Sequence, residues 1–145
     1  MADKKRVLIL CTGNSARSQI AEGLLRHLAG DRFEVSSAGT EPGHLRPEAV
    51  TVMRELGIDI SGHRSKYVGE FQNQHFDYVL TVCDNAKDNC PLFPGAALTL
   101  HRSFEDPAAL EGSEEQRLAL FRRVRDEIRE YLRAFPSPAP TAPLR

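Results

Sequence analysis

A chain of 145 residues, 41% apolar and 27% charged, has the length and composition of one compact domain and lacks the bias of disordered or fibrous chains. Nineteen basic against twenty acidic residues give a formal charge of −1, without the basic stripe that a nucleic acid demands, and no apolar run approaches the roughly 18 residues of a membrane span. Three cysteines, an odd number, argue against a permanent disulfide framework and for free thiols in a reducing compartment, so a cytoplasmic location is expected.

Val7-Leu8-Ile9-Leu10 is a continuous apolar run that suits a buried strand of a parallel sheet. From Ser18 to Ala29, Ile20, Ala21, Leu24, Leu25 and Leu28 recur at helical spacing, and Gly30 offers a stop. Phe33 to Ser37 reads as a second strand, with Ser37-Ala38-Gly39-Thr40 turning the chain away. A second helix opens at Pro47, buries Val50, Met53 and Leu56, and meets Gly57 at its C-terminal cap. Phe76 to Val82 is a third strand that ends at Cys83. The polar stretch from Asp84 to Gly95 is expected to be a loop or short helix.

Leu98-Thr99-Leu100 is a brief fourth strand. A long helix from about Ser113 to Phe135 carries Leu118, Phe121, Val124, Ile128, Leu132 and Phe135 down one side, its arginines and glutamates forming a solvated face. The last ten residues, with four prolines, are expected to be a disordered tail, leaving residues 1–135 as a single domain. Alternating strands and helices at these spacings predict an α/β fold, a four-stranded, mostly parallel twisted sheet flanked by helices on both faces. Ligands of such sheets bind beyond the carboxyl ends of the strands.

At that end of the first strand stands Cys11-Thr12-Gly13-Asn14-Ser15-Ala16-Arg17-Ser18, a Cys-x5-Arg loop. Small residues from Thr12 to Ala16 let successive N–H groups curl toward one point, and the following helix aims its positive end there. The planar fork of Arg17 complements two oxygens of a tetrahedral anion. The same field is expected to draw the Cys11 thiol below its free pKa of about 8.5. Ser18 has two readings, a hydroxyl hydrogen bond to the thiolate or a helix N-terminal cap. Reading Cys11 as a merely buried thiol leaves Gly13, Asn14 and Arg17 without a reason.

The sequence from Val7 to about Phe135 resembles the low-molecular-weight tyrosine phosphatase superfamily, and more closely its thioredoxin-coupled arsenate reductases. The resemblance lies in residues 11–19, Ala21-Glu22-Gly23, Ser37-Ala38-Gly39-Thr40, Asp59-Ile60-Ser61-Gly62-His63, Cys83 with Cys90-Pro91, and Phe104-Glu105-Asp106-Pro107-Ala108. It implies that arsenate is the substrate, with phosphate and sulfate as analogues, and that thioredoxin is the partner supplying electrons.

A phosphatase needs only one of the three thiols, whereas arsenate reduction takes two electrons that a thiol pair supplies by closing a disulfide. The expected order is attack of Cys11 on arsenic, attack of Cys83 on Cys11 with release of arsenite, then attack of Cys90 on Cys83. The resemblance implies the same order. A disulfide needs Cα atoms within about 7 Å, so residues 83 to 95 are expected to be mobile. A zinc site from Cys83, Cys90 and His101 matches no usual spacing.

Asp106, fixed before Pro107, is the candidate general acid, with Glu105 as fallback; the alternative is an Asx cap of the turn. Ala108-Ala109-Leu110 follows where a phosphotyrosine phosphatase would carry an aromatic platform. Some relatives bind potassium through residues matching Asn14, Glu22 and Ser37 plus an acidic residue, and Lys66 stands where that acid would be. An ammonium there replaces the ion, or else Lys66 simply faces solvent; no metal or other cofactor is expected. The competing functions are a phosphomonoester hydrolase, using Cys11 alone, and a non-enzymatic thiol sensor.

Overall fold

The computed structural model describes residues 4–84, 96 and 98–135; the Pro-rich tail from residue 136 and nearly all of the expected mobile segment, with Cys90, lie outside them. Four strands, β1 (Lys5–Cys11), β2 (Phe33–Gly39), β3 (Tyr78–Thr81) and β4 (Leu98–His101), form one sheet in the order β2-β1-β3-β4. Every pairing is parallel. Val7, Leu8, Ile9 and Leu10 point alternately to opposite faces, yet all four are fully buried, so both faces of β1 are covered. The α/β class and the parallel sheet predicted from the sequence are borne out.

Helix α1 (Arg17–Ala29) returns the chain from β1 to β2, and the path to β3 then crosses to the other side of β1. The sheet reverses its direction of winding between β1 and β3, which brings their carboxyl ends together at the place where such folds hold ligands. Val82 N–H donates to Leu10 O at 2.9 Å, locking those two ends side by side. Cys11 stands in register with Gly39 on the opposite flank.

Helix α2 (Pro47–Arg54) buries Ala49, Val52 and Met53. The sequence pattern assigned that face to Val50, Met53 and Leu56; Val50 and Leu56 are only partly buried. The helix is rotated so that small Ala49 is buried, and helix α3 (Glu114–Leu132) packs on α2. Gly57 follows with φ of 78°, a left-handed conformation that glycine adopts without a Cβ penalty. Leu28 of α1 is 38% exposed, outside the apolar stripe expected of it.

Helix α3 begins with a capping box, Ser113 Oγ accepting from Gln116 N–H at 3.1 Å and Gln116 Oε1 from Ser113 N–H at 2.9 Å. Phe121, Val124, Ile128 and Leu132 are buried as the spacing predicts. The expectation of a wholly solvated charged face is corrected at Arg125, which is buried. Its Nη1 donates to Val52 O at 2.8 Å and to Glu55 Oε1 at 2.9 Å. Arg122 forks onto the same Glu55 and Arg117 reaches Glu48, so α3 is tied to α2 by charge as well as packing. Carbonyls at the end of a short helix have no intrahelical donor, and a long arginine reaches them where an aliphatic residue would leave them unpaired.

Arg125→Ala should therefore lower the unfolding free energy in urea by about 1–3 kcal/mol, since it strands a buried carbonyl. Glu130→Ala on the exposed side of the same helix should stay within about 0.5 kcal/mol.

Candidate active site

Asn14 sets the shape of the Cys-x5-Arg loop. It is fully buried and has φ of 49°, the left-handed region that asparagine enters more readily than other non-glycine residues. Its Nδ2 donates to Ser18 Oγ at 2.8 Å and to Ser37 Oγ at 2.9 Å. Its Oδ1 accepts from Lys66 N–H at 2.8 Å and from Gln19 Nε2 at 3.0 Å, and its carbonyl from Ser65 Oγ at 2.8 Å. The side chain is satisfied at both ends, which holds the reversed backbone in place.

The carbonyls of the loop are turned outward and bound. Those of Cys11, Thr12, Gly13 and Ser15 accept from the N–H groups of Thr40, Glu41, Gly43 and Arg46 at 2.9–3.2 Å. None of the N–H groups of residues 12 to 16 donates to another described residue. Helix α1 has Ala16 at its N-cap and no side-chain cap. A row of free amides and an uncapped helix N-terminus thus face away from the bound carbonyls, the arrangement of an anion nest.

Arg17 closes the nest. Its Nη1 donates to Phe104 O at 3.0 Å and Nη2 lies 3.7 Å from Asp106 Oδ2, while its Nε is buried without a hydrogen-bond partner among the described residues. A buried donor left unpaired is costly unless a ligand takes it, and this one fits an oxyanion. Asp106 keeps the extended backbone that Pro107 imposes, and its Oδ1 accepts from Ala108 N–H at 3.0 Å. Both readings of Asp106 meet in one residue, because it caps the turn and stands beside the guanidinium. Glu105 instead pairs with Arg123 on α3.

Cys11 is buried, and its S–H donates to the Cys83 sulfur. Cys83 Sγ also lies 3.3 Å from Thr12 Oγ1. The expected depression of the Cys11 pKa is not what this arrangement gives. Its bond with Cys83 and its burial raise the thiol well above the usual value, against the pull of Arg17 and of the Ser18 N–H. Two sulfurs share one site, and the second cannot ionise beside the first without strong cost. Ser18 helps the sulfur through its backbone N–H while its hydroxyl accepts from Asn14, and the capping reading of its side chain does not hold, because α1 has no side-chain cap.

Behind the loop, Glu22 is buried under two cations. Arg26 Nη2 lies 2.5 Å from Glu22 Oε2, and Lys66 Nζ lies 3.9 Å from Glu22 Oε1, to which Ser37 Oγ also donates at 2.5 Å. Lys66 Nζ donates to Arg64 O at 3.0 Å, and burial lowers its pKa. Lys66 therefore faces inward. Arg26 was missed by the sequence reasoning, although its spacing of four from Glu22 on a helix was the available signal. His63 joins through Nδ1 to Gln19 Oε1 at 2.9 Å, and burial lowers its pKa too. Among the described residues, no group of three His, Cys, Asp or Glu side chains could hold a metal ion, and no helix is long and apolar enough to cross a membrane.

Residues 6–139 match the model of the low molecular weight phosphotyrosine protein phosphatases. The chain belongs to that family. Within it, the arsenate reductase of Bacillus licheniformis is 47% identical over 132 residues, covering 91% of this chain and 95% of the relative. A solved arsenate reductase in the phosphate binding state superposes with a TM-score of 0.77 at 33% identity, over 88% of this chain and 93% of the other. A low molecular weight protein tyrosine phosphatase from T. tengcongensis gives 0.71 at 28% identity, over 89% and 95%.

Two changes probe the site. Gly39→Ala puts a Cβ into the Thr12 carbonyl and 2.9 Å from Asn14 N; both are backbone, so phosphate binding should weaken about tenfold or more by calorimetry, and stability should fall by about 1–3 kcal/mol. Cys83→Ala removes the first cause of the raised Cys11 pKa, so the pH midpoint of iodoacetamide alkylation at Cys11 should fall. A raised folded-state pKa stabilises the fold below the unfolded thiol value of about 8.5 and loses that contribution as pH climbs through the folded value. The variant should lose less stability than the parent on going alkaline.

Proposed function

We propose that this protein is an arsenate reductase that forms arsenite through Cys11, Cys83 and Cys90 in turn and is re-reduced by an external dithiol such as thioredoxin in the cytoplasm. The observation that carries the reading is the second thiol: Cys83 contacts Cys11 inside a single anion nest. A phosphomonoesterase has no work for it, and similar relatives are arsenate reductases.

Binding comes first. The free amides of residues 12 to 16, the first turn of α1 and the open Nε of Arg17 hold arsenate with its arsenic facing Cys11. A protonated Cys11 with dianionic arsenate carries the same total charge as a thiolate with the monoanion. Moving the proton from sulfur to an arsenate oxygen thus yields the nucleophile without a separate base. Sulfur attacks arsenic, one oxygen leaves as water with a proton from Asp106, and a Cys11–arsenic adduct remains.

Once Cys11 is bonded to arsenic, the Cys83 thiol beside Thr12 passes its proton to an arsenic-bound oxygen and its sulfur attacks the Cys11 sulfur. The sulfur–arsenic bond breaks, its electron pair stays on arsenic, and arsenic leaves as arsenite in the trivalent state. Two thiols have been oxidised to one disulfide and arsenic has gained two electrons. Cys90 then attacks Cys83, returning Cys11 to its thiol and presenting a Cys83–Cys90 disulfide to the reductant. Arg26 and Lys66 neutralise Glu22 behind the loop, so potassium is not required. The backing for that is the 3.9 Å approach of Lys66 and the shorter bond from Arg26.

The test follows arsenite with thioredoxin, its reductase and NADPH. Turnover should vanish in Cys11→Ser, Cys83→Ser and Cys90→Ser, while slow hydrolysis of para-nitrophenyl phosphate should be lost only in Cys11→Ser. Hydrolysis with no arsenite from the parent protein would favour the phosphatase, and neither activity would favour a thiol sensor. Exchanging potassium for sodium should leave the arsenite rate unchanged.

A further inference from the structure

Beyond the loop, the end of β3 carries a contact that the reaction sequence above does not use. His101 closes β4, and its imidazole sits between two residues that bracket Val82 and Cys83. Thr81 Oγ1 is 2.7 Å from His101 Nδ1, and His101 Nε2 is 3.0 Å from Asp84 Oδ1. Thr81 is buried, the His101 side chain is a quarter exposed, and the Asp84 side chain is 79% exposed. A carboxylate only accepts, so Nε2 donates to Asp84, while the Nδ1 side of the ring is held by the Thr81 hydroxyl, which also lies 3.4 Å from Leu100 O.

The chain upstream of Cys83 is held by the sheet. Val82 N–H donates to Leu10 O at 2.9 Å, and Val82 O accepts from Phe104 N–H at 3.1 Å. Immediately downstream, the Asp84 side chain is tied to His101 Nε2. The direction in which Cys83 presents its sulfur depends on both sides of that residue being fixed. A disulfide tolerates only a narrow range of Cβ separation and torsion, so small losses of order at Cys83 reduce its rate of attack.

We propose that His101 is a positioning residue for the second chemical step, clamping Thr81 to Asp84 so that the Cys83 sulfur is presented to Cys11. This rests on the reductase reading for its place in the reaction, though the clamp acts on disulfide closure whatever the oxidant. It has no part in anion binding or in the attack of Cys11.

The experiment uses the Cys90→Ser background, in which the reaction stops at the Cys11–Cys83 disulfide. His101→Ala and Asp84→Ala should slow arsenite release in a single turnover about three- to tenfold, the effect of losing a charge-assisted hydrogen bond near the surface. Hydrolysis of para-nitrophenyl phosphate and its inhibition by phosphate should not change. His101→Gln, whose amide keeps an acceptor and a donor, should recover most of the rate. The proposal is overturned if His101→Ala releases arsenite at the background rate, if hydrolysis falls in the same proportion, or if Gln is no better than Ala. Should the background protein release no arsenite, the reductase reading fails. Diamide-driven closure of Cys11–Cys83, which needs no arsenate, then decides the clamp by whether His101→Ala slows it.

Discussion

The left-handed turn at Asn14 is the constraint on which the rest of the site depends. Reversing the backbone at one non-glycine residue costs about 1–2 kcal/mol, and the hydrogen bonds of the buried side chain offset it. That reversal lets the loop send its carbonyls one way, to the 40–46 segment, and its amides the other. The partners of Asn14 come from α1, β2 and the segment before Tyr67, so the loop is braced by three parts of the chain at once. An anion site built this way is organised before the anion arrives, which spares the reorganisation that a flexible loop would require.

Charge is arranged in two tiers around that turn. In front, Arg17 and the amides supply positive potential to the sulfur of Cys11, whose pKa its bond with Cys83 and its burial raise. Behind, Glu22 is held by Arg26 and Lys66, and through Ser37 it reaches Asn14 itself. The rear carboxylate would repel an incoming anion if it stood bare. Its two cations cancel that repulsion while the hydrogen bonds keep the loop rigid.

Much of this was legible in the residues. The apolar run Val7 to Leu10 marks a doubly covered strand because no half-exposed strand reads that way, and the position of Cys11 follows from it. Ser113 and Gln116 announce the start of α3 by their spacing. What escaped depends on long-range geometry. Arg125 looks like any surface arginine until α2 presents an open carbonyl to it, and the inward face of α2 turns on Ala49, a residue too small to mark an apolar stripe by itself. The raised pKa of Cys11 could not be read from the loop alone, because the group that raises it most, Cys83, is 72 residues further along the chain and meets it only through the pairing of β1 with β3.

The nest is made almost wholly of main-chain amides, and this has an evolutionary reach. A receptor built from peptide groups is indifferent to the side chains hung upon it. Exchanges at Thr12, Ser15 or Ala16 can recontour the rim, or admit a bulkier molecule bearing the same tetrahedral head, without disturbing the receptor. Divergence in such a lineage is then free to act on the second thiol and its surroundings, turning a hydrolase into a reductant or back, while the cradle stays as it is.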